Sequence, residues 1–126
     1  MARIAPALCL AAALVLSCAV RPVPVGAEPN GAPPPESLAK CLARKGIRLF
    51  GAHWCKPCHD QLELFGKDAP DVPYTDCQPE GTIGNIPECD KLDIQTFPTW
   101  RFPDGYKALG VRSLKWLSES SSCPLT

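Results

Sequence analysis

The chain has 126 residues, enough for one domain. Its 13 Lys and Arg balance 13 Asp and Glu with no basic stripe, which excludes a dedicated nucleic-acid or anionic-membrane surface as the expected partner. Eight cysteines in so short a chain point instead to disulfide chemistry in an oxidising compartment.

Arg3 followed by the apolar run Ile4 to Val20, then Val25-Gly26-Ala27, predicts a secretory leader over 1–27 with cleavage before Glu28. Two alternatives stand beside it. One is an uncleaved anchor, against which Pro6 and the short run argue. The other is lipidation at Cys18, since Val15-Leu16-Ser17-Cys18 resembles a lipobox. Pro29, Pro33, Pro34 and Pro35 make 28–36 an extended tether. The domain proper, 37–126, is small enough to gain from covalent staples. Six cysteines lie beyond the leader: Cys41, Cys55, Cys58, Cys77, Cys89 and Cys123.

Ser37 is placed to cap a helix through Leu38, Leu42 and Lys45, ended by Gly46. Ile47 to Phe50 reads as a strand. A helix opens at Cys55, takes Leu62, Leu64 and Phe65 as apolar positions and stops at Gly66. Val72 to Thr75 reads as a second strand, with Pro73 tolerating one missing donor. A turn-rich loop over Gln78 to Gly84 precedes a short helix, Pro87 to Leu92. Thr99 to Phe102 and Tyr106 to Leu109 form a hairpin about Pro103-Asp104-Gly105. Ser113 caps a last helix carrying Leu114 and Leu117. The order α-β-α-β-α-β-β-α predicts a compact α/β domain: a parallel βαβ unit, a hairpin and a closing helix.

The chemistry centres on Trp54-Cys55-Lys56-Pro57-Cys58. A cysteine at a helix N-terminus meets unsatisfied N–H groups and partial positive charge, which favour an exposed, low-pKa thiolate at Cys55. Lys56 and His53 add to this effect if they face it. Pro57 suits the first helical turn, Trp54 is expected to cover the site, and Cys58, more buried, is expected to resolve a mixed disulfide. A structural zinc half-site completed by Cys77 and Cys89 is a rival, although their spacing is not that of a second knuckle. Cys55-Lys56-Pro57-Cys58-His59 also fits c-type haem attachment, but Met1 is the only methionine and an axial ligand would have to be another group such as His53. Downstream, Thr96-Phe97-Pro98-Thr99 is either an ordinary edge-strand start or a cis-proline turn that presents the backbone at Phe97 to an extended partner beside Cys55.

These two motifs, in this order, resemble the thioredoxin superfamily over about Ser37 to Ser120. The phrases Leu49-Phe50-Gly51-Ala52-His53-Trp54-Cys55, Asp60 to Lys67, Tyr74-Thr75-Asp76-Cys77, Glu88-Cys89 and Ile94 to Trp100 are similar to the thioredoxin-like domain fused to bacterial and plant vitamin K epoxide reductase homologues. The resemblance implies a four-stranded mixed sheet flanked by helices, and thiol–disulfide exchange with Cys55 and Cys58 as the redox pair. It implies that Trp54, Pro57, Phe97 and Pro98 position the partner chain, that Cys77–Cys89 is a structural disulfide, and that no cofactor is needed.

It further implies a monomer in the periplasm or thylakoid lumen. There it oxidises exported cysteine-containing proteins and is itself reoxidised by a membrane quinone reductase. No counterpart of that membrane half follows Val20, so the expected partner acts in trans. Leu49 stands where thioredoxins carry a buried acid, which leaves proton transfer at Cys58 to another route. The resemblance assigns no counterpart to Cys41 and Cys123; a bond between them would tie the first helix to the C-terminal tail, with two free thiols as the alternative. An extracytoplasmic reductase of the cytochrome-maturation type and a non-catalytic binding module are the remaining alternatives.

Overall fold

The computed structural model describes residues 35–125; the expected leader and nearly all of the expected tether lie outside the described residues. The Ser37 hydroxyl accepts the Lys40 N–H at 3.3 Å and starts helix α1, Leu38–Arg44. Gly46 takes a left-handed φ of 73° and turns the chain into strand β1, Arg48–Gly51. Helix α2 spans Lys56–Glu63, strand β2 Tyr74–Asp76, and helix α3 Pro87–Lys91. Strands β3, Thr99–Arg101, and β4, Lys107–Leu109, form the hairpin, and helix α4 covers Leu114–Ser121.

The sheet order is β2-β1-β3-β4. Strand β1 runs parallel to β2 and antiparallel to β3, and β3 is antiparallel to β4. Pro73 precedes the edge strand β2, where its missing N–H costs no ladder bond; its carbonyl accepts the Leu49 N–H at 2.9 Å. This is the expected α/β architecture, a four-stranded mixed sheet with flanking helices, consistent with a thioredoxin-like fold.

Side-chain alternation along β1 divides the interior. Leu49 lies in register with Tyr74 and Trp100 and shares their face. There Leu38, Ala39 and Leu42 of α1, Leu117 of α4, Phe65 and Val72 pack around Leu49 and Trp100 as the main core. Burying each of the larger side chains contributes about 1.5–3 kcal/mol, so this face supplies most of the stability. Phe50 points the other way and packs with Cys77, Cys89 and Ile94 beneath α3. A disulfide joins Cys41 of α1 to Cys123, just beyond α4, with the Cα atoms 5.9 Å apart.

Three expectations need correction. Beyond Gly66 the chain does not go straight to a strand; it makes a 3₁₀ turn over Gly66–Asp71, which Pro70 tolerates in so short a helix. The second strand starts two residues later than Val72, because Val72 turns inward to the core. Leu64 lies past the end of α2 and is largely exposed; the helix buries Cys58 and Gln61 instead. Among the described residues no helix is long and apolar enough to cross a membrane.

Candidate functional site

Strand β1 ends at Gly51, and residues 52–54 turn the chain into α2. Cys55 is the N-cap of that helix: its Sγ accepts the Cys58 N–H at 3.3 Å. Its carbonyl accepts the amides of Cys58 and His59 at 3.1 and 3.2 Å. The helix N-terminus is therefore built around the Cys55 sulfur, the arrangement that stabilises a thiolate there once the bond opens. Pro57 occupies the exposed side of the first turn, where no acceptor waits for an amide hydrogen. Cys55 and Cys58 are joined in a disulfide. Both are buried, Cys55 at 3% exposure and Cys58 at 0%, with Ala52 and Phe97 packed on them. The expected contrast between an exposed Cys55 and a buried Cys58 is thus small in the disulfide form.

Trp54 does not seal the site. It is 60% exposed and stands edge-on to Phe97, ring centroids 6.0 Å apart. Its indole N–H donates to Gln78 Oε1 at 2.9 Å, and His53 Nδ1 bonds the Gln78 backbone carbonyl. Gln78 is held in turn: its amide donates to Asp76 Oδ1, and its side-chain NH2 donates to Asn85 Oδ1, each at 2.9 Å. Asn85 reaches Asp90 of α3 and the Ile94 carbonyl. The neighbouring Cys77–Cys89 disulfide fixes the root of this loop to α3, and the Cys77 N–H donates to the Gly51 carbonyl at 2.8 Å.

The charges expected to assist Cys55 are engaged elsewhere. Lys56 Nζ pairs with Asp60 at 2.8 Å on the solvent side, and this partner raises its pKa. His59 Nε2 bonds the His53 carbonyl at 2.8 Å. That leaves the helix N-terminus as the positive influence on Cys55. His59 thus sits in a polar hydrogen bond on the surface. Cys55, Cys58, Cys77 and Cys89 are all in disulfides, and a disulfide sulfur offers a metal no thiolate.

Across from the cysteines, the Phe97–Pro98 peptide is cis. Pro98 is buried and its carbonyl accepts the Gly110 N–H at 2.8 Å, while the Thr99 hydroxyl donates to the Thr96 carbonyl at 2.7 Å. Among the described residues, neither the N–H nor the carbonyl of Phe97 has a hydrogen-bond partner. Trp54, Cys55, Pro57, Cys58, Phe97 and Pro98 therefore lie around one patch. Cys77–Cys89 lies behind it, and Cys41–Cys123 belongs to the main core.

Sequence reasoning passed over three residues that shape this patch. Gln78, at the head of the turn-rich loop, holds Trp54 and His53. Gln61 is fully buried one turn beyond Cys58; its Oε1 accepts the Trp100 indole N–H at 3.1 Å and the Arg112 amide at 2.6 Å, and its NH2 donates to the Arg112 carbonyl at 2.9 Å. It ties α2 to β3 and to the approach of α4. Gly51 falls within the phrase Leu49 to Cys55, and a Cβ there would lie 2.6 Å from Tyr74 Oη and 2.8 Å from Cys58 Sγ. A glycine closing a strand directly before a Cys-x-x-Cys turn is a signal of close approach. Nothing comparable in the sequence announces Gln61 or Gln78, whose partners lie far along the chain.

No protein-family model matches the chain. Over 72 residues it is 36% identical to thiol-disulfide oxidoreductase LTO1 of Arabidopsis thaliana, a match covering 54% of this chain. The match covers 19% of that protein, so the chain spans about a fifth of this relative's length. The relative is named for the chemistry that the sequence resemblance implies.

Proposed function

We propose that this chain, homologous to part of thiol-disulfide oxidoreductase LTO1, is a thiol–disulfide oxidoreductase that exchanges disulfides with protein partners through Cys55 and Cys58. The observation that carries this reading is the Cys55–Cys58 disulfide capping α2, beside a Phe97 whose backbone groups are unpaired among the described residues. An extended partner segment can hydrogen-bond to Phe97 while its thiolate reaches Cys55. That thiolate attacks Cys55 Sγ, and Cys58 leaves with the electron pair, giving a mixed disulfide between partner and Cys55. A second partner thiolate then displaces Cys55. The partner departs oxidised, and the Cys55/Cys58 pair is left as two thiols. Run backwards, the same steps reduce a partner.

In this reading the domain over 37–126 works outside the cytoplasm, in a periplasm or thylakoid lumen, after removal of 1–27. It is monomeric, its substrates are exported cysteine-containing proteins, and a vitamin K epoxide reductase-like membrane quinone reductase reoxidises it. Cys77–Cys89 and Cys41–Cys123 are structural, and Trp54, Pro57, Phe97 and Pro98 position the partner. Export is supported by the leader pattern and by three disulfides in one small domain.

The test is to trap mixed disulfides with Cys58→Ser in the native organism and identify what is bound to Cys55. Exported clients together with a membrane quinone reductase are the expected catch. Cytochrome-maturation proteins alone would reverse the assigned direction of electron flow.

A further inference from the structure

Opening the Cys55–Cys58 bond leaves negative charge on Cys58, which is completely buried. A thiolate there is costly unless a donor meets it. The amide of Cys58 is directed at the sulfur and carbonyl of Cys55, and so offers nothing to its own side chain. The carbonyl of Gly51, the closest strand residue, accepts from Cys77. The Tyr74 hydroxyl is a polar donor close to Cys58 Sγ.

Tyr74 lies on β2 opposite Leu49, on the same face of the sheet as Gly51, and leans over the space that a side chain at 51 would fill. Its Oη and Cys58 Sγ are 2.6 and 2.8 Å from a single point, the position of the missing Cβ, so the two atoms are no farther apart than the sum of those distances. Among the described residues the Tyr74 hydroxyl has no hydrogen-bond partner while the disulfide is closed. Any residue but glycine at 51 would separate the phenol from the sulfur.

We propose that the Tyr74 hydroxyl donates a hydrogen bond to Cys58 Sγ when the disulfide opens, making Tyr74 a further catalytic residue of the exchange. The inference rests on the exchange reading above. As the partner thiolate bonds to Cys55, the Cys55–Cys58 bond breaks and its electron pair goes to Cys58 Sγ. The Tyr74 O–H turns onto that sulfur and keeps its proton; water later protonates the thiolate. In the reverse step the same contact holds Cys58 as the attacking thiolate. Burial, and then the charge of Asp76, push the Tyr74 phenol above its ordinary value, so it stays a neutral donor throughout the range in which thiols titrate.

The other titratable groups nearby are otherwise engaged. Asp76 accepts the Gln78 amide, His53 and His59 bond backbone carbonyls, and Lys56 and Asp60 pair at the surface.

The experiment uses the full chain. Cys58 acidity is read in Cys55→Ser from the pH dependence of iodoacetamide alkylation, and disulfide opening by dithiothreitol is followed in the wild-type background. Tyr74→Phe keeps the ring and removes the donor. It is expected to raise the Cys58 midpoint by about one pH unit and to slow opening about tenfold. Tyr106→Phe, a phenol on the far hairpin, is expected to change neither.

A second measurement needs no variant: the Tyr74 phenol is expected to titrate higher in the reduced wild-type protein than in the oxidised one, because it then faces a thiolate. A folded Tyr74→Phe that matches the wild type, or a Tyr74 titration indifferent to redox state, overturns the assignment. A wild-type disulfide that dithiothreitol opens but that never exchanges with any protein thiol would instead defeat the exchange reading beneath it.

Discussion

The three cystines among the described residues are alike in burial and differ in their surroundings. Cys55–Cys58 and Cys41–Cys123 are each almost wholly covered, and Cys77–Cys89 is completely so. Cys41–Cys123 spans a separation of 82 residues and sits among Leu38, Leu42 and Leu117, with the Arg44 guanidinium donating to Cys41 Sγ at 3.5 Å. Cys77–Cys89 packs on Phe50 and Ile94. Cys55–Cys58 closes only one helical turn, at a helix N-terminus that donates to sulfur, with the Tyr74 phenol, unpaired among the described residues, behind it and an exposed Trp54 in front. In the proposed exchange, the cystine that opens closes a single helical turn beside donors for its thiolates, whereas Cys41–Cys123 closes a long stretch of chain.

The sharpest way to break this contrast is to open Cys55–Cys58 in one variant and Cys77–Cys89 in another. Cys55→Ser is expected to abolish disulfide exchange, by several orders of magnitude in an insulin-reduction or dithiol-oxidation assay, while leaving the unfolding midpoint close to wild type. The paired replacement Cys77→Ala with Cys89→Ala is expected to keep exchange. Exchange lost equally in both would show that the two cystines are not functionally distinct.

Next in size is the covalent contribution. Chain-entropy arguments give about 4.5 kcal/mol for Cys41–Cys123 and about 3 kcal/mol for Cys77–Cys89. Urea unfolding of the double alanine variants checks both values and their order.

Gln61→Leu tests whether the polar tie beneath the redox pair matters as much as the cystines around it. It strips the acceptor from the Trp100 indole and the Arg112 amide, and an expected loss of about 2–3 kcal/mol would appear in the same unfolding experiment. A loss below about 0.5 kcal/mol would mean that these donors find other partners.

The smallest effect lies on the surface that joins β1 to α3. Arg48 bonds Glu88 at 2.6 Å and holds its carboxyl below the ordinary range. A depressed carboxyl stabilises the fold above the unfolded-state value and loses that contribution as pH falls through the lower folded value. Glu88→Gln is therefore expected to leave thermal stability less dependent on pH below about 4.5, a modest change because the pair is exposed and screened by salt. Melting temperatures from pH 2 to 6 at low and high salt read it directly.

Local rules carried much of the chain. Ser37 and Ser113 cap their helices because a hydroxyl one residue before an apolar-periodic run satisfies an orphan amide with no help from elsewhere. Gly46 ends α1, Pro103-Asp104-Gly105 turns the hairpin, and Cys55 opens α2 for equally local reasons. The 3₁₀ turn at Gly66–Asp71 was not legible, since its sequence favours no regular element and contacts with α1 and α2 hold it.

By itself the sequence determined the order of elements, the α/β class and the two motifs that mark the proposed redox pair, because each depends on neighbours within a few residues. Only the tertiary structure decided which side chains surround those sulfurs. It turned His53 to Gln78, brought Gln78 to Trp54 across 24 positions, joined Gln61 to Arg112 across 51, and set Tyr74 over Gly51 beside Cys58. Such contacts follow from how the sheet aligns distant segments in space, and no spacing along the chain encodes them.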